Sequence, residues 1–390
     1  MRNQQRRVLI LSEIISPYRI PVFNALACDE RLDLHVVFLS ETDKGLRQWR
    51  VYKDEIRFPY EVLPSARFRG RKGSLLLNWK LHSSLERFAP EVIVCGGYNY
   101  VAAWEALWWA KNHNVEMVLW SESNRHDARS GRRFVESMKT YFLSRCDRFV
   151  VPGKSAREYL EMLGAEERQI TIAPNAIDNE WFQAQAQPIR GQSLKCRTEF
   201  GLPARFMLFS GRLVREKGVF DLLDAYATLP EDVRLQVGVV FAGDGASKRE
   251  LERRARKIRP GMVCFSGFLQ REELAGFYAL AEALILPTHS DPWGLVVNEA
   301  MACGLPAIVS EVAGCALDLV TDGWNGYVVA AHDVEALRTG IHRLATDSEL
   351  RQNMGVNSLK RIQNFSPEMC AKGLAGAALA TASEVQWMTA

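Results

Sequence analysis

Short apolar runs that do not alternate recur along this chain, each followed by a stretch with helical spacing of apolar positions. Val8 to Leu11, Leu34 to Leu39, Val92 to Cys95, Met117 to Trp120, Arg148 to Val151 and Ile170 to Ala173 form a first series. Such runs predict strands covered on both faces, as a parallel sheet between helix layers requires. Arg19 to Cys28 and Ser155 to Leu163 carry helical spacing between them. The alternation resumes at Phe206 to Phe209 and runs to about Val329. Two α/β domains, each a doubly wound parallel sheet, are expected. Residues 183–202 are polar and contain Pro188 and Gly191, and they read as the linker between the domains.

The most informative stretch is Ser290 to Pro306, a strand-to-helix junction. The run Ala283 to Leu286 is closed by Pro287, a polar loop follows, and a helical pattern begins at about Leu295. Gly304 stands where a helix C-terminus favours positive φ, and Pro306 prevents continuation. Asp291 and Glu299 flank the helix start with seven residues between them. The amides of Leu295 and Val296 would point out of the first turn, and such a terminus attracts phosphate. Acids on either side suit hydroxyl groups, and phosphate between polyols describes a nucleotide sugar. An acid in the first turns of an α/β helix is common by chance, so the reading needs support from elsewhere.

That support lies upstream, in Phe206 to Gly218, which has the form strand, glycine turn, basic loop, helix. Gly211 makes the turn, and Arg212 and Lys217 follow where a strand's carboxyl end opens into the crevice of a doubly wound sheet. Arg offers a fork and Lys a point charge to a diphosphate.

With these residues in view, the chain resembles the retaining glycosyltransferases of family 4. Their GT-B architecture sets two Rossmann-like, doubly wound domains facing a central cleft. The matching segments are Gly211 to Gly218, Ala242 to Gly245, Ser266 to Leu269, Ala281 to Thr288 and Asp291 to Pro306. In the amino-terminal half, Ile172 to Asp178 matches more loosely, with Ala176 in place of the family's glycine. The resemblance implies that Arg212 and Lys217 hold the donor diphosphate and stabilise the leaving group. It implies that Asp291 contacts hydroxyls of the donor sugar and Glu299 those of the ribose. Gly211 belongs to the same donor segment. Gly294, Leu295 and Val296 would approach sugar and phosphate through their backbone, and Phe268 would lie beside the nucleobase. There are departures: Asp291 stands where the family usually has Glu, and Pro17 and Tyr18 stand where many members have a glycine pair. A histidine often follows the fourth strand of the N-domain. Here Ser121, Glu122 and His126 are all candidates there, to orient the acceptor or assist its deprotonation.

The expected division is therefore an acceptor-binding domain at 1–182, the linker at 183–202 and a nucleotide-sugar domain at 203–365. A helical tail at 366–390 crosses back to the N-domain in proteins of this architecture. A length of 390 residues suits two such domains. The eight cysteines are dispersed without metal-ligand spacing, and they read as buried free thiols. No metal or cofactor is expected, since no D-x-D-like pair stands out. No apolar stretch reaches membrane-spanning length, and the basic start before Val8 reads as a first strand rather than a signal peptide. A net charge of +3 does not suggest nucleic acid as a partner. Residues 67–88 nevertheless hold six Lys/Arg against one acid, interleaved with Leu75, Trp79 and Leu81. This segment reads as a basic loop feeding an amphipathic helix, suited either to an anionic membrane surface or simply to solvent. Arg125, Arg129, Arg132 and Arg133 admit the same two readings, acceptor phosphates or solvent. Trp104, Trp108 and Trp109, at helical spacing, read as core.

The expectation is metal-independent, retaining transfer of a hexose from a nucleotide sugar, with UDP favoured over GDP on family frequency. The acceptor would be a glycan or a lipid-linked acceptor of surface polysaccharide or glycolipid synthesis, at the cytoplasmic face. A nucleotide-sugar epimerase and a non-catalytic sugar-nucleotide binder are the competing readings. A dinucleotide oxidoreductase is disfavoured, because no G-x-G-x-x-G follows the first strand.

Overall fold

The computed structural model describes residues 5–380 apart from 44, 46, 71–72, 127–132 and 259–260. The chain forms two compact units, one of Met1–Ala176 with Ser366–Ala390 and the other of Ile177–Phe365. In the first unit the strands are β1 (Arg6–Ile14), β2 (Leu32–Ser40), β3 (Tyr60–Val62), β4 (Ser65–Gly70), β5 (Gly73–Asn78), β6 (Val92–Cys95), β7 (Glu116–Trp120), β8 (Arg148–Val151) and β9 (Ile170–Ile172). All but β4 and β5 join one parallel sheet in the order β3-β2-β1-β6-β7-β8-β9.

The non-alternating runs have the expected cause. Val92, Ile93, Val94 and Cys95 are each at most 1% exposed, because both faces of the sheet are covered. Alternate residues enter different cores, as the period of two in a strand requires. Val8, Ile10, Val92 and Val94 face one cluster, while Leu9, Leu11, Ile93 and Cys95 face the other. The helix Pro367–Leu379 completes the first of these clusters with Cys370, Ala371, Leu374, Ala375, Ala377 and Ala378. Its start is fixed by Pro367 in the first turn and by the Ser366 hydroxyl accepting from the Met369 amide at 3.3 Å.

The second unit carries β10 (Phe206–Ser210), β11 (Gly238–Ala242), β12 (Val263–Gly267), β13 (Ala283–Leu286), β14 (Ala307–Ser310) and β15 (Gly326–Val329). They form a parallel sheet in the order β12-β11-β10-β13-β14-β15. This is the Rossmann order, and the direction of winding reverses between β10 and β13. The loops after these two strands therefore leave the sheet side by side, and ligands of open α/β sheets bind at that point.

Four expectations differ from the structure. Most of residues 183–202 lie in two helices of the second unit, Asn179–Gly191 and Ser193–Glu199, with Pro188 inside the first. Asp178 caps that helix by accepting from the Trp181 amide at 2.9 Å, and the Gln/Ala run with burial of Phe182 and Ala186 outweighs the cost of Pro188. The basic segment from Arg67 is a hairpin, β4 paired antiparallel with β5, rather than a loop, and the helix Leu81–Phe88 follows it. Of the three tryptophans, Trp109 is core at 3% exposure, Trp104 is partly buried, and Trp108 is 65% exposed. Among the cysteines, Cys95, Cys146, Cys303, Cys315 and Cys370 are buried and free, whereas Cys28 is exposed. Arg129 and Arg132 fall outside the described residues.

Candidate functional site

The candidate donor site is built on the loops after β10 and β13. Gly211 leaves β10 at φ 148°, and its amide donates to Ala242 at 2.9 Å. The Gly243 amide donates in turn to Gly267 at 2.7 Å, so the loops after β10, β11 and β12 are laced together. A Cβ on Gly243 would lie 1.9 Å from the Gly211 carbonyl oxygen, which explains the glycine of the A-G-D-G segment. Phe268, just beyond β12, is 39% exposed.

Arg212 is exposed, and its guanidinium meets no partner among the described residues. Lys217 closes a short 3₁₀ turn, Arg215–Lys217, and its ammonium reaches the neighbouring loop. It donates to the Ser290 carbonyl at 2.9 Å and to Asp291 Oδ2 at 2.7 Å. Two residues predicted separately are thus one ion pair, with side chains only 12% and 18% exposed. Asp291 Oδ1 also accepts from the Trp293 amide at 3.2 Å. The loop is pinned from the other side, where Gly314 and Cys315 donate to the carbonyls of Asp291 and Trp293 at 3.0 Å each.

Gly294 then turns the chain into the helix Leu295–Ala302 at φ 97° and ψ 57°. The amides of Leu295 and Val296 open the helix and have no acceptor within it. Both residues are half-buried. One turn inside, Glu299 Oε2 accepts from the Tyr278 hydroxyl at 2.7 Å. Tyr278 is fully buried, and it comes from the helix Arg271–Leu280. It had no motif around it, and a buried phenol needing an acceptor was its only signal.

Burial pushes the Glu299 carboxyl up from 4.5 to about 7, against the opposing pull of the Tyr278 hydrogen bond. A carboxyl whose folded pKa lies above its unfolded value contributes stability that is present below the unfolded value. That contribution is lost as the pH rises through the folded value. The ligand-free protein should therefore lose stability between pH 4.5 and about 7 in urea melts, and Glu299→Gln should flatten this part of the profile. An unchanged slope in the variant would remove Glu299 as its source.

In the first unit, Glu122 follows β7 and pairs with Arg19, whose guanidinium lies 3.7 Å over the Trp120 ring. Ser121 is buried. His126 accepts from Arg125 Nε at 2.9 Å, and its amide donates to Asn124. Pro17 and Tyr18 lie in a turn closed by the Arg19 amide on Ser16 at 2.9 Å. Sequence reasoning missed the charged cluster at the end of β1. There Glu13 pairs with Arg67 at 3.0 Å and with the Tyr100 hydroxyl, and Arg67 also pairs with the buried Asp43.

Comparison with known proteins follows this division of the chain. The model for glycosyl transferases group 1 matches residues 197–361, and that for glycosyltransferase family 4 matches residues 27–181. A glycogen synthase of Mycobacterium tuberculosis is 30% identical over 284 residues, covering 70% of this chain and 64% of that protein. A D-inositol 3-phosphate glycosyltransferase of Streptomyces bingchenggensis is 30% identical over 233 residues, covering 57% and 50%. The chain spans about half the length of several curated relatives it matches. Among solved structures, Anabaena Alr3699/HepE in complex with UDP and glucose aligns with a TM-score of 0.73 at 18% identity. That alignment covers 95% of this chain and 98% of the other. At such identity the likeness speaks to the fold.

Proposed function

Taking as premise that the chain belongs to glycosyltransferase family 4 and has the GT-B architecture, we propose that it transfers a hexose from a nucleotide sugar with retention. The observation that carries this reading is the Lys217–Asp291 pair beside the Leu295 helix start, at the switch point of a Rossmann-ordered sheet. A cation held against a carboxylate is poised to meet an incoming diphosphate, while the carboxylate oxygens can each accept a further hydrogen bond from a sugar hydroxyl. As the anomeric bond breaks, negative charge grows on the departing diphosphate. Arg212, Lys217 and the amides of Leu295 and Val296 stabilise it, a fixed electrostatic role. These cations supply what a divalent ion would otherwise provide, which supports metal-independent transfer. Glu299 takes the ribose hydroxyls, Phe268 lies beside the base, and Gly211 and Gly294 let the backbone approach.

UDP is the proposed nucleotide, in keeping with the Anabaena neighbour's complex with UDP and glucose. The acceptor is a glycan or a lipid-linked acceptor of surface polysaccharide or glycolipid synthesis. Glu122 and His126 are the proposed acceptor-side groups, to orient the acceptor hydroxyl or receive its proton. The Phe68–Leu75 pair of the hairpin is exposed at 59% and 50%, and Trp79 at 53%, which supports peripheral contact with the inner membrane face. No helix among the described residues is long and apolar enough to cross a membrane.

The test is a panel of UDP-, GDP- and ADP-sugars in the presence of a chelator, followed by thermal shift and nucleotide release. UDP-sugars should stabilise the protein and release UDP faster when acceptor is added. Arg212→Ala should reduce transfer by roughly 100-fold, as loss of one preorganised donor typically does. Stabilisation by none of the nucleotides would sink the donor site, release without an acceptor product would favour a hydrolytic reading, and an altered nucleotide sugar without release would favour an epimerase.

A further inference from the structure

Three residues far apart in sequence meet beside the Lys217 loop. Asp221 lies in the first turn of the helix Val219–Ala227, His289 in the loop after β13 and His332 in the loop after β15. Their side-chain donor atoms all lie within 4.8 Å of one another. Both imidazoles converge on one carboxylate oxygen. Asp221 Oδ2 is 2.7 Å from His289 Nε2 and 3.7 Å from His332 Nδ1. The two rings are in contact, tilted by 36° with centroids 3.7 Å apart.

A His–Asp hydrogen bond by itself would satisfy His289. It gives no reason for a second imidazole to occupy the same oxygen. His332 nevertheless holds that place from a backbone at φ 67°, a conformation that histidine adopts at some cost. We propose that Asp221, His289 and His332 bind a divalent transition-metal ion of the zinc class. Two imidazole nitrogens and one carboxylate oxygen are the ligand set such ions take with three protein donors, leaving a fourth position to water. The His332 side chain is 67% exposed, so that position opens to solvent. The 2.7 Å contact between Asp221 and His289 must widen to roughly 3.3 Å between ligands of a tetrahedral ion, a shift within reach of side-chain rotation.

The ion takes no part in the proposed transfer, and the site stands independently of the donor-site reading. It does adjoin that loop. The His289 amide donates to the Glu216 carbonyl at 2.8 Å, and the next carbonyl, of Ser290, accepts the Lys217 ammonium. A bound ion therefore ties the helix Val219–Ala227 to the turn that carries Asp291.

The experiment uses untagged full-length protein stripped with a chelator, titrated with Zn2+ by calorimetry and with Co2+ by visible absorption. Saturable uptake of one Zn2+ per chain is expected, with raised thermal stability and a Co2+ ligand-field band. His332→Asn, which suits the left-handed backbone, and Asp221→Asn should weaken uptake by roughly tenfold or more and abolish the band. His342→Asn, on the helix Val334–Thr346, is the control and should change nothing. The absence of saturable uptake, or uptake indifferent to both site variants, would overturn the assignment.

Discussion

Lys217→Ala is expected to lower kcat by roughly 10³-fold, at the upper end of what loss of a single charge-stabilising donor does. Two effects combine. The variant loses the ammonium that meets the diphosphate, and it removes the Lys217 charge 2.7 Å from Asp291, whose side chain is only 18% exposed. The second effect makes the pair non-additive. Asp291→Ala in the Lys217→Ala background should cost far less than Asp291→Ala alone. Single-turnover release of nucleotide, with kcat and KM separated, is the measurement. The loss should appear in kcat, because the charge on the leaving group develops only in the transition state. A variant that transfers within a few-fold of wild type would remove Lys217 from the chemistry.

Gly218→Ala should destabilise the second unit by about 4 kcal/mol, enough to abolish its folding under mild denaturant. Gly218 sits at φ 64°, and a Cβ there would lie 1.8 Å from the carbonyl oxygen of Pro287. That oxygen belongs to backbone at the end of β13, so relief requires moving the strand end that aims Asp291. Gly201 is the matched control, because it has φ 62° and nothing within 4 Å of the added Cβ. Its alanine variant should lose only about 1–2 kcal/mol, the cost of the left-handed backbone alone. Urea melts of the two variants separate the clash from the backbone term, and equal losses would refute the steric account.

The pattern of apolar positions carried the sheet almost to the residue where both faces are covered. Val92–Cys95, Arg148–Val151 and Ala283–Leu286 lie as expected because burial on both sides leaves no polar position to blur the run. It failed where a single face is covered or the segment is short. β3 has three residues, none fully buried, and leaves almost no pattern. The β4–β5 hairpin hides its alternation under arginines, of which Arg67 is tied inward by Glu13 and Asp43. The segment 183–202 misled because Pro188 and Gly191 read as loop punctuation, although the run of glutamines and alanines favours a helix and Phe182 and Ala186 are buried on it. At the candidate site, loop and helix motifs were legible because glycines and charges at turns have local causes. Pairings were not. Nothing in the sequence ties Tyr278 to Glu299, or Asp221 to His289 and His332, since each contact is made only by the folding of distant segments onto one another.

The placement of the helix Pro367–Leu379 in the first unit has a consequence for biosynthesis. The core of that unit lacks Cys370, Leu374 and Ala378 until the whole second unit has been translated. At 5–20 residues per second, the ribosome needs roughly 10–40 s to make the intervening stretch. During that interval an apolar sheet face stands uncovered on the nascent chain, a natural client for a holdase chaperone. The second unit is continuous in sequence and suffers no such delay. The half of the protein made first is thus the half that matures last.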